Sequence, residues 1–304
     1  MKSVLVVGAA GFLGRELVRQ CRERGVRTVG IDRAGLMRDG PGAPDVRCEL
    51  DIASEFRTLP EPVDVAVFAA QGSSQRADMP EVSELFRINA GGVARCLAVL
   101  ASAGGVPLLH CSTGSVYRPA WTPIDESAEV RQDDAYALSK LHAESMSCMH
   151  IGRVRTVNLR IFGLYGPGQS QRMVPGIAGR VRRGEPIRLA QGRQGTVDGG
   201  LRISLLHVED AAAAMIELGG RLIAGETLPR TLNLASDDAP DVREMAAAMA
   251  AHLGKQPRFE DGPAREGDLI ADTTLLARTV RTPRRALSEG LAQTFAADPL
   301  LGAI

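Results

Sequence analysis

The chain has 304 residues, 44% of them hydrophobic, and 33 glycines, so it can bury a large core and is long enough for about two domains. Lys plus Arg equals Asp plus Glu at 36 each, which removes any general electrostatic case for nucleic acid or an anionic membrane as partner. No apolar run of bilayer length is expected, so a membrane-spanning protein is set aside as well.

The first element reads Val4-Leu5-Val6-Val7, and spaced glycines and an amphipathic helix follow at once: Gly8-Ala9-Ala10-Gly11-Phe12-Leu13-Gly14, then Arg15 to Cys21. This is the strand, turn and helix of a dinucleotide-binding fold. Gly8 allows the tight turn, Gly11 lets backbone approach a pyrophosphate, and Gly14 lets the helix pack closely on the strand. The helix N-terminus then faces the phosphates. The next strand, Arg27 to Ile31, ends in Asp32. A carboxylate there accepts hydrogen bonds from a ribose diol and repels a 2′-phosphate, which favours NAD over NADP. Arg33 beside it pulls the other way, because a guanidinium pairs with a 2′-phosphate.

Strands are expected near residues 3–7, 26–31, 45–50, 63–69, 106–112 and 153–160, alternating with helices, which predicts a doubly wound parallel sheet of Rossmann type. A long helical pattern runs from Glu84 to Ala103, and another helix carries Tyr136-Ala-Leu-Ser-Lys140. Beyond residue 165 the alternation weakens at a series of glycines and prolines, and Gln191 to Gly200 reads as a glycine-rich loop. The expected organisation is an NAD-binding domain over 1–165, with a strand-helix unit at 201–220 returning to it. Residues 166–304 form mainly a smaller, mixed α/β substrate-binding region. Asp210 reads as the N-cap of an alanine-rich helix. The cysteines at 21, 48, 96, 111 and 148 are scattered without metal-like spacing, and the first strand begins right after Ser3; both fit a cytoplasmic protein with reduced thiols and no bound metal.

Tyr136 and Lys140 share one helix face at i, i+4. A phenol has an ordinary pKa of about 10, and a fixed cation beside it favours the phenolate, making it a usable acid or base near neutrality.

Further segments match a known pattern in order and interval: Asp51-Ile52, Ala69-Ala70, Asn89-Ala-Gly-Gly, Ser112-Thr113-Gly114-Ser115-Val116-Tyr117, Leu159 to Pro167, and His207-Val208-Glu209-Asp210. With the glycine loop and the Tyr-Lys pair, the chain resembles the extended short-chain dehydrogenase/reductases over nearly its whole length, in particular the NAD-dependent nucleotide-sugar epimerase/dehydratase family. The resemblance implies that Lys140 holds the nicotinamide ribose, Tyr136 exchanges a proton with the sugar hydroxyl being oxidised, and Thr113 hydrogen-bonds the same oxygen. It implies cofactor contacts at Gly8, Gly11, Phe12, Leu13, Gly14, Asp32, Arg33, Asp51, Ile52, Ala69, Ala70 and Gln71, continuing at Asn89, Ser112, Tyr136, Lys140 and Phe162. Asn89 reads as framework near the cofactor rather than as a catalyst.

On the substrate side the resemblance implies Thr113, Gly163, Val174, Leu189 and Arg202, the last matching an arginine that pairs with a nucleotide diphosphate. Gly163 stands where many relatives have an Asn, and Arg118 replaces a usual glycine at the pocket mouth. Relatives that eliminate water carry an Asp-Glu pair after the Thr, where this chain has Gly114 and Ser115. What remains is hydride removal and return at one carbon. The expected activity is an epimerase of a nucleotide-diphosphate sugar, at C4, with NAD retained. The alternatives are an NAD(P)H-dependent reductase or dehydrogenase of a nucleotide keto-sugar or a non-nucleotide alcohol or ketone, and a non-enzymatic NAD(H)-binding regulator. Relatives pair their two long helices into a four-helix bundle, so a homodimer is expected.

Overall fold

The computed structural model describes residues 1–72, 79–170, 172–298 and 300–301. The apolar runs of the first half become β1 (Ser3–Val7), β2 (Arg27–Asp32), β3 (Val46–Glu49), β4 (Val65–Phe68), β5 (Leu108–Thr113) and β6 (Thr156–Ile161), each close to its expected place. With β10 (Thr231–Leu234) they form one seven-stranded sheet in the order β10-β6-β5-β4-β1-β2-β3, every pair parallel. β4 and β5 are buried at every position, as strands covered on both faces must be.

One face packs on α1 (Phe12–Glu23) and α6 (Val208–Ile223) through Leu17, Val18, Met215 and Leu218. The other packs on α3 (Gly92–Ser102) and α4 (Ala135–Met149) through Val93, Leu97, Leu100 and Ala143. The segment Val82–Ser102, which runs through α2 (Met79–Phe86) into α3, is 21 residues long and apolar enough to span a bilayer by length and composition. That corrects the reading that no such run exists. Its buried face lies in the sheet core, so its apolarity serves packing.

Past β6 the chain leaves the sheet. β7 (Gly163–Tyr165) pairs with β9 (Leu205–His207), so the strand expected to return to the main sheet near residue 205 joins this separate ladder instead. The β6 edge is taken by β10, and of the 201–220 unit only α6 packs on the sheet. The N-cap of α6 is His207, whose ring accepts from the Glu209 N–H; Asp210 lies inside the first turn and pairs with Arg285 at 2.8 Å, so it is not the cap. α5 (Met173–Arg183), β8 (Pro186–Gln191), α7 (Val242–Leu253), β11 (Arg258–Ala264) and α9 (Leu287–Ala297) build a second core around Val174, Leu189, Met245, Met249 and Phe295.

A buried polar node ties α4 to β5, β6 and β10 of the main sheet. Glu144 of α4 accepts from Arg160 of β6 at 3.0 and 2.7 Å and from the Ser112 hydroxyl at 2.5 Å. The Arg160 guanidinium lies 4.7 Å from the Tyr117 ring centre, and the Tyr117 hydroxyl donates to Asn233 of β10 at 2.7 Å. With both side chains about nine-tenths buried, removing one partner leaves the other charged and unpaired. Arg160→Met should therefore lower the unfolding free energy by about 3–5 kcal/mol in urea titrations. The double variant with Glu144→Gln should recover part of that loss; an additive loss would remove the pair from the account.

Candidate active site

A cleft of about 1310 Å³ opens along the carboxyl ends of β1, β2, β4, β5 and β6. Ligands bind at that edge of an open parallel sheet, where the strand order reverses. Its floor is the glycine turn. Gly8 has φ +89°, and a Cβ there would stand 2.5 Å from the Ala70 nitrogen; a Cβ on Gly14 would stand 2.0 Å from the Gly8 carbonyl oxygen. Both positions hold backbone against backbone. Gly11 has only the Gly8 oxygen near its missing side chain and otherwise faces the cleft, leaving a cradle that a side chain would fill. The donor set and the shape fit a dinucleotide with its pyrophosphate over the α1 N-terminus.

At the adenosine end, Asp32 accepts the Ala10 N–H on one oxygen and the Arg33 N–H on the other, each at 2.9 Å, which fixes its carboxylate at the cleft edge. Asp51 and Ile52 line the same end. Arg87 holds Asp51 at 2.8 Å, and this contact first of all keeps its carboxyl below the usual carboxylate range. Phe12, Leu13, Ala69, Ala70, Gln71, Ser112 and Phe162 also line the cleft. Asn89 does not line it. It sits, fully buried, in the wider helical turn Arg87–Gly91, accepts the Gly72 N–H at 3.0 Å and donates to Ser139 at 2.9 Å. It thus braces the loop after β4 against α4.

At the other end Thr113, Tyr136 and Lys140 come together. Asp134 caps α4 by accepting the Ala137 N–H at 2.8 Å, which starts the helix just before Tyr136. Tyr136 is half-buried and donates to Gln71 Oε1 at 3.1 Å. Thr113 Oγ1 accepts the Ser115 N–H at 3.1 Å and keeps further capacity toward the cleft. Burial pushes the Tyr136 phenol up, and the Thr113 hydroxyl and then the Arg172 charge oppose that rise. Lys140 is 2% exposed, its Nζ donates to the Cys111 carbonyl at 2.9 Å, and burial pulls it down to about 8, with Cys111 and Glu144 opposing. Behind it His110 is fully buried and pushed down to about 4 by burial and by the Lys140 charge.

The substrate side departs from expectation. Gly163 and Val174 line the cleft, but Leu189 and Arg202 do not. Leu189 is 2% exposed in the second core. Arg202 is exposed, with Nε donating to the Ala239 carbonyl at 3.2 Å. Neighbours on extended chain point to opposite sides, and here Ile203 and Leu205 face the cleft, which turns Arg202 away. A Cβ on Gly163 would stand 2.6 Å from Leu205 Cδ2, so the glycine and Leu205 belong together: Leu205 occupies the room a side chain at 163 would need. Arg118 also turns away, to Glu129 at 2.9 Å, and does not guard the mouth. Sequence reasoning missed Arg172 and Gln169, which line this end with Met173 and Leu164. The signal available was their place in the run between Pro167 and the start of α5.

A buried lysine with a lowered pKa leaves a signature in stability. Between about pH 8 and the ordinary lysine value of about 10.4 the folded chain has released a proton that the unfolded chain still holds, so stability rises with pH across that window. The difference in unfolding free energy between the wild type and Lys140→Met should shift accordingly between pH 8 and 10. A difference constant with pH would place the Lys140 pKa near its ordinary value.

The comparisons with known proteins agree with this geometry. A family model described as the NAD dependent epimerase/dehydratase family matches residues 4–235. The chain is 25% identical to a dTDP-4-dehydro-6-deoxy-D-allose reductase of Streptomyces bikiniensis, covering 96% of this chain and 95% of that protein. It is 28% identical to a UDP-glucose 4-epimerase of Mycolicibacterium smegmatis, covering 95% and 96%. Among solved structures, MoeE5 in complex with UDP-glucuronic acid and NAD superposes with a TM-score of 0.80 at 26% identity, covering 98% of this chain and 99% of that one. The matched span contains the glycine turn, Asp32, Thr113, Tyr136 and Lys140, and the chain belongs to the NAD-dependent epimerase/dehydratase family of enzymes.

Proposed function

We propose that the protein is an NAD-dependent epimerase of a nucleotide-diphosphate sugar, acting by transient oxidation and re-reduction at one sugar carbon, C4. The observation that carries this reading is the convergence of Thr113, Tyr136 and Lys140 at the far end of the cleft that begins at Asp32. Among the described residues the carboxylates lining that cleft are Asp32, Asp51 and Glu84, all at or beside the adenosine end. Eliminating water would need its own acid and base near the sugar. One-carbon redox chemistry needs only the Tyr136 proton shuttle.

Tyr136, in its phenolate form, takes the proton of the reacting hydroxyl and so becomes the phenol, with Thr113 Oγ1 hydrogen-bonding the same substrate oxygen and holding it toward the ring oxygen. Lys140, fixed by the Cys111 carbonyl, keeps two N–H donors for ribose hydroxyls, and its positive charge favours the phenolate as the proton leaves. A dinucleotide held with its pyrophosphate over the glycine turn would supply hydride acceptance and return at its nicotinamide, beside Tyr136 and Lys140. On the way back Tyr136 returns the proton to the carbonyl oxygen. An epimerase further requires the ketone to turn before it is reduced from the other face.

A second reading, a reductase or dehydrogenase of a non-nucleotide alcohol or ketone, is favoured by one observation. Ile203 and Leu205 present apolar surface where a diphosphate-binding arginine was expected, and Arg202 faces away. Mass spectrometry of the denatured purified protein, followed by incubation with UDP-, GDP- and dTDP-sugars, separates the two. Released NAD together with isomerised sugar of unchanged mass supports the epimerase. Net reduction of a carbonyl on adding NAD(P)H, with no isomerisation, replaces it by the reductase. In either case Tyr136→Phe should lower turnover by about 10²–10⁴-fold while the cofactor dissociation constant stays nearly unchanged; retained turnover would remove Tyr136 from the mechanism.

A further inference from the structure

The adenosine end of the cleft holds more positive charge than a ribose diol needs. Arg33 follows Asp32 directly, Arg38 lies on the loop after β2 and Arg15 on the first turn of α1; all three line the cleft and are exposed. Among the described residues none of their guanidinium groups makes a hydrogen bond or an ion pair. Arg33 lies within electrostatic range of Glu84, but Arg87 already holds that carboxylate at 2.7 Å.

A second cavity of about 550 Å³ adjoins the cleft, sharing Ala10, Phe12, Arg15, Arg38 and Gly168 with it. Each carboxylate on its wall is already paired: Glu16 with Arg19 at 2.6 Å, Glu209 with Arg285 at 3.1 Å, and Asp39 with Arg47. Arg15 and Arg38 therefore stand unneutralised where the two cavities meet. That meeting point includes Ala10, whose N–H is bonded to Asp32. Among the described carboxylates lining either cavity, Asp32 is the one without a basic partner, so three unpaired guanidinium groups share the cleft wall with a single unpaired carboxylate. Like charges gathered in a concave site without a counter-ion repel one another, and an anion relieves the repulsion.

We infer that this end of the cleft also takes a ribose 2′-phosphate, so that the chain binds NADP(H) as well as NAD(H). Asp32 serves the diol of NAD, and Arg38, with Arg33 and Arg15, serves the phosphomonoester of NADP. Guanidinium forks match phosphate oxygens bidentately, and they hold their charge at any working pH. The inference rests on the reading of the cleft as a dinucleotide site, and it does not depend on which sugar or carbonyl is the substrate.

Competition binding on the purified full chain tests it, with NAD and NADP displacing one another in the wild type, Arg38→Ala, Arg33→Ala and Asp32→Ala. Arg38 is an exposed loop residue, so the variant tests contact rather than folding. The expected result is wild-type dissociation constants for the two dinucleotides within about tenfold of each other. Arg38→Ala should weaken NADP by about ten- to hundredfold, the usual range for losing a hydrogen bond to a charged group, and leave NAD nearly unchanged. Asp32→Ala should do the reverse, weakening NAD more than NADP. NADP binding should also fall more steeply with added salt than NAD binding. NAD binding without measurable NADP binding overturns the inference and leaves the cofactor reading standing. An equal loss of NAD and NADP in both arginine variants overturns it too, by placing the arginines on the pyrophosphate. Failure of the wild type to bind either dinucleotide rejects the cofactor reading and this inference with it.

Discussion

A buried ammonium at the end of β5 is the constraint from which the active site follows. Lys140 has almost no contact with water, so its helix must bring it to an acceptor, and the Cys111 carbonyl supplies one. Once that contact is made, helical spacing sets the rest of α4. Tyr136, one turn earlier, emerges half-buried into the cleft beside Thr113, and Glu144, one turn later, goes into the core. There it is held by Arg160 and by Ser112, which immediately precedes Thr113 on β5. Chemistry at the cleft and the ion pair below it are thus consecutive turns of one helix face.

The cofactor end is coupled to that helix through Asn89. The wider turn that interrupts the helix before α3 lets this one side chain reach both the Gly72 N–H and the Ser139 hydroxyl. Irregular turns of this kind recur at functional sites because they redirect a side chain without ending the helix. Here the brace runs between the loop after β4, next to cleft-lining Gln71, and the turn of α4 between Tyr136 and Lys140. The two ends of the cleft are therefore held to one framework.

What could be read from the sequence follows from how directly each feature depends on local spacing. Parallel strands buried on both faces leave uninterrupted apolar runs, so β1 through β6 fall near their expected places. Tyr136 and Lys140 are set by helical period, and the glycine turn by backbone sterics. The substrate side depends instead on parity along short extended pieces and on tertiary packing. A shift of one residue puts Ile203 rather than Arg202 in the cleft, and Leu189 goes into a core built by helices far along the chain. Asp210 has the right type for a cap, but Arg285, 75 residues away, claims it, and His207 caps instead. Arg15 and Arg38 carry no motif at all, and they become visible only when the loop after β2 folds back over α1.

The proposed reversible oxidation at one carbon, with Tyr136 as the proton shuttle, must pass through reduced nicotinamide. Stopped-flow absorbance on mixing the NAD-loaded protein with a nucleotide sugar follows that species. The expected result is a transient rise of reduced nicotinamide in the wild type, and no rise in Tyr136→Phe although the cofactor is still bound. Turnover without any reduced nicotinamide, or an unchanged transient in Tyr136→Phe, would contradict it.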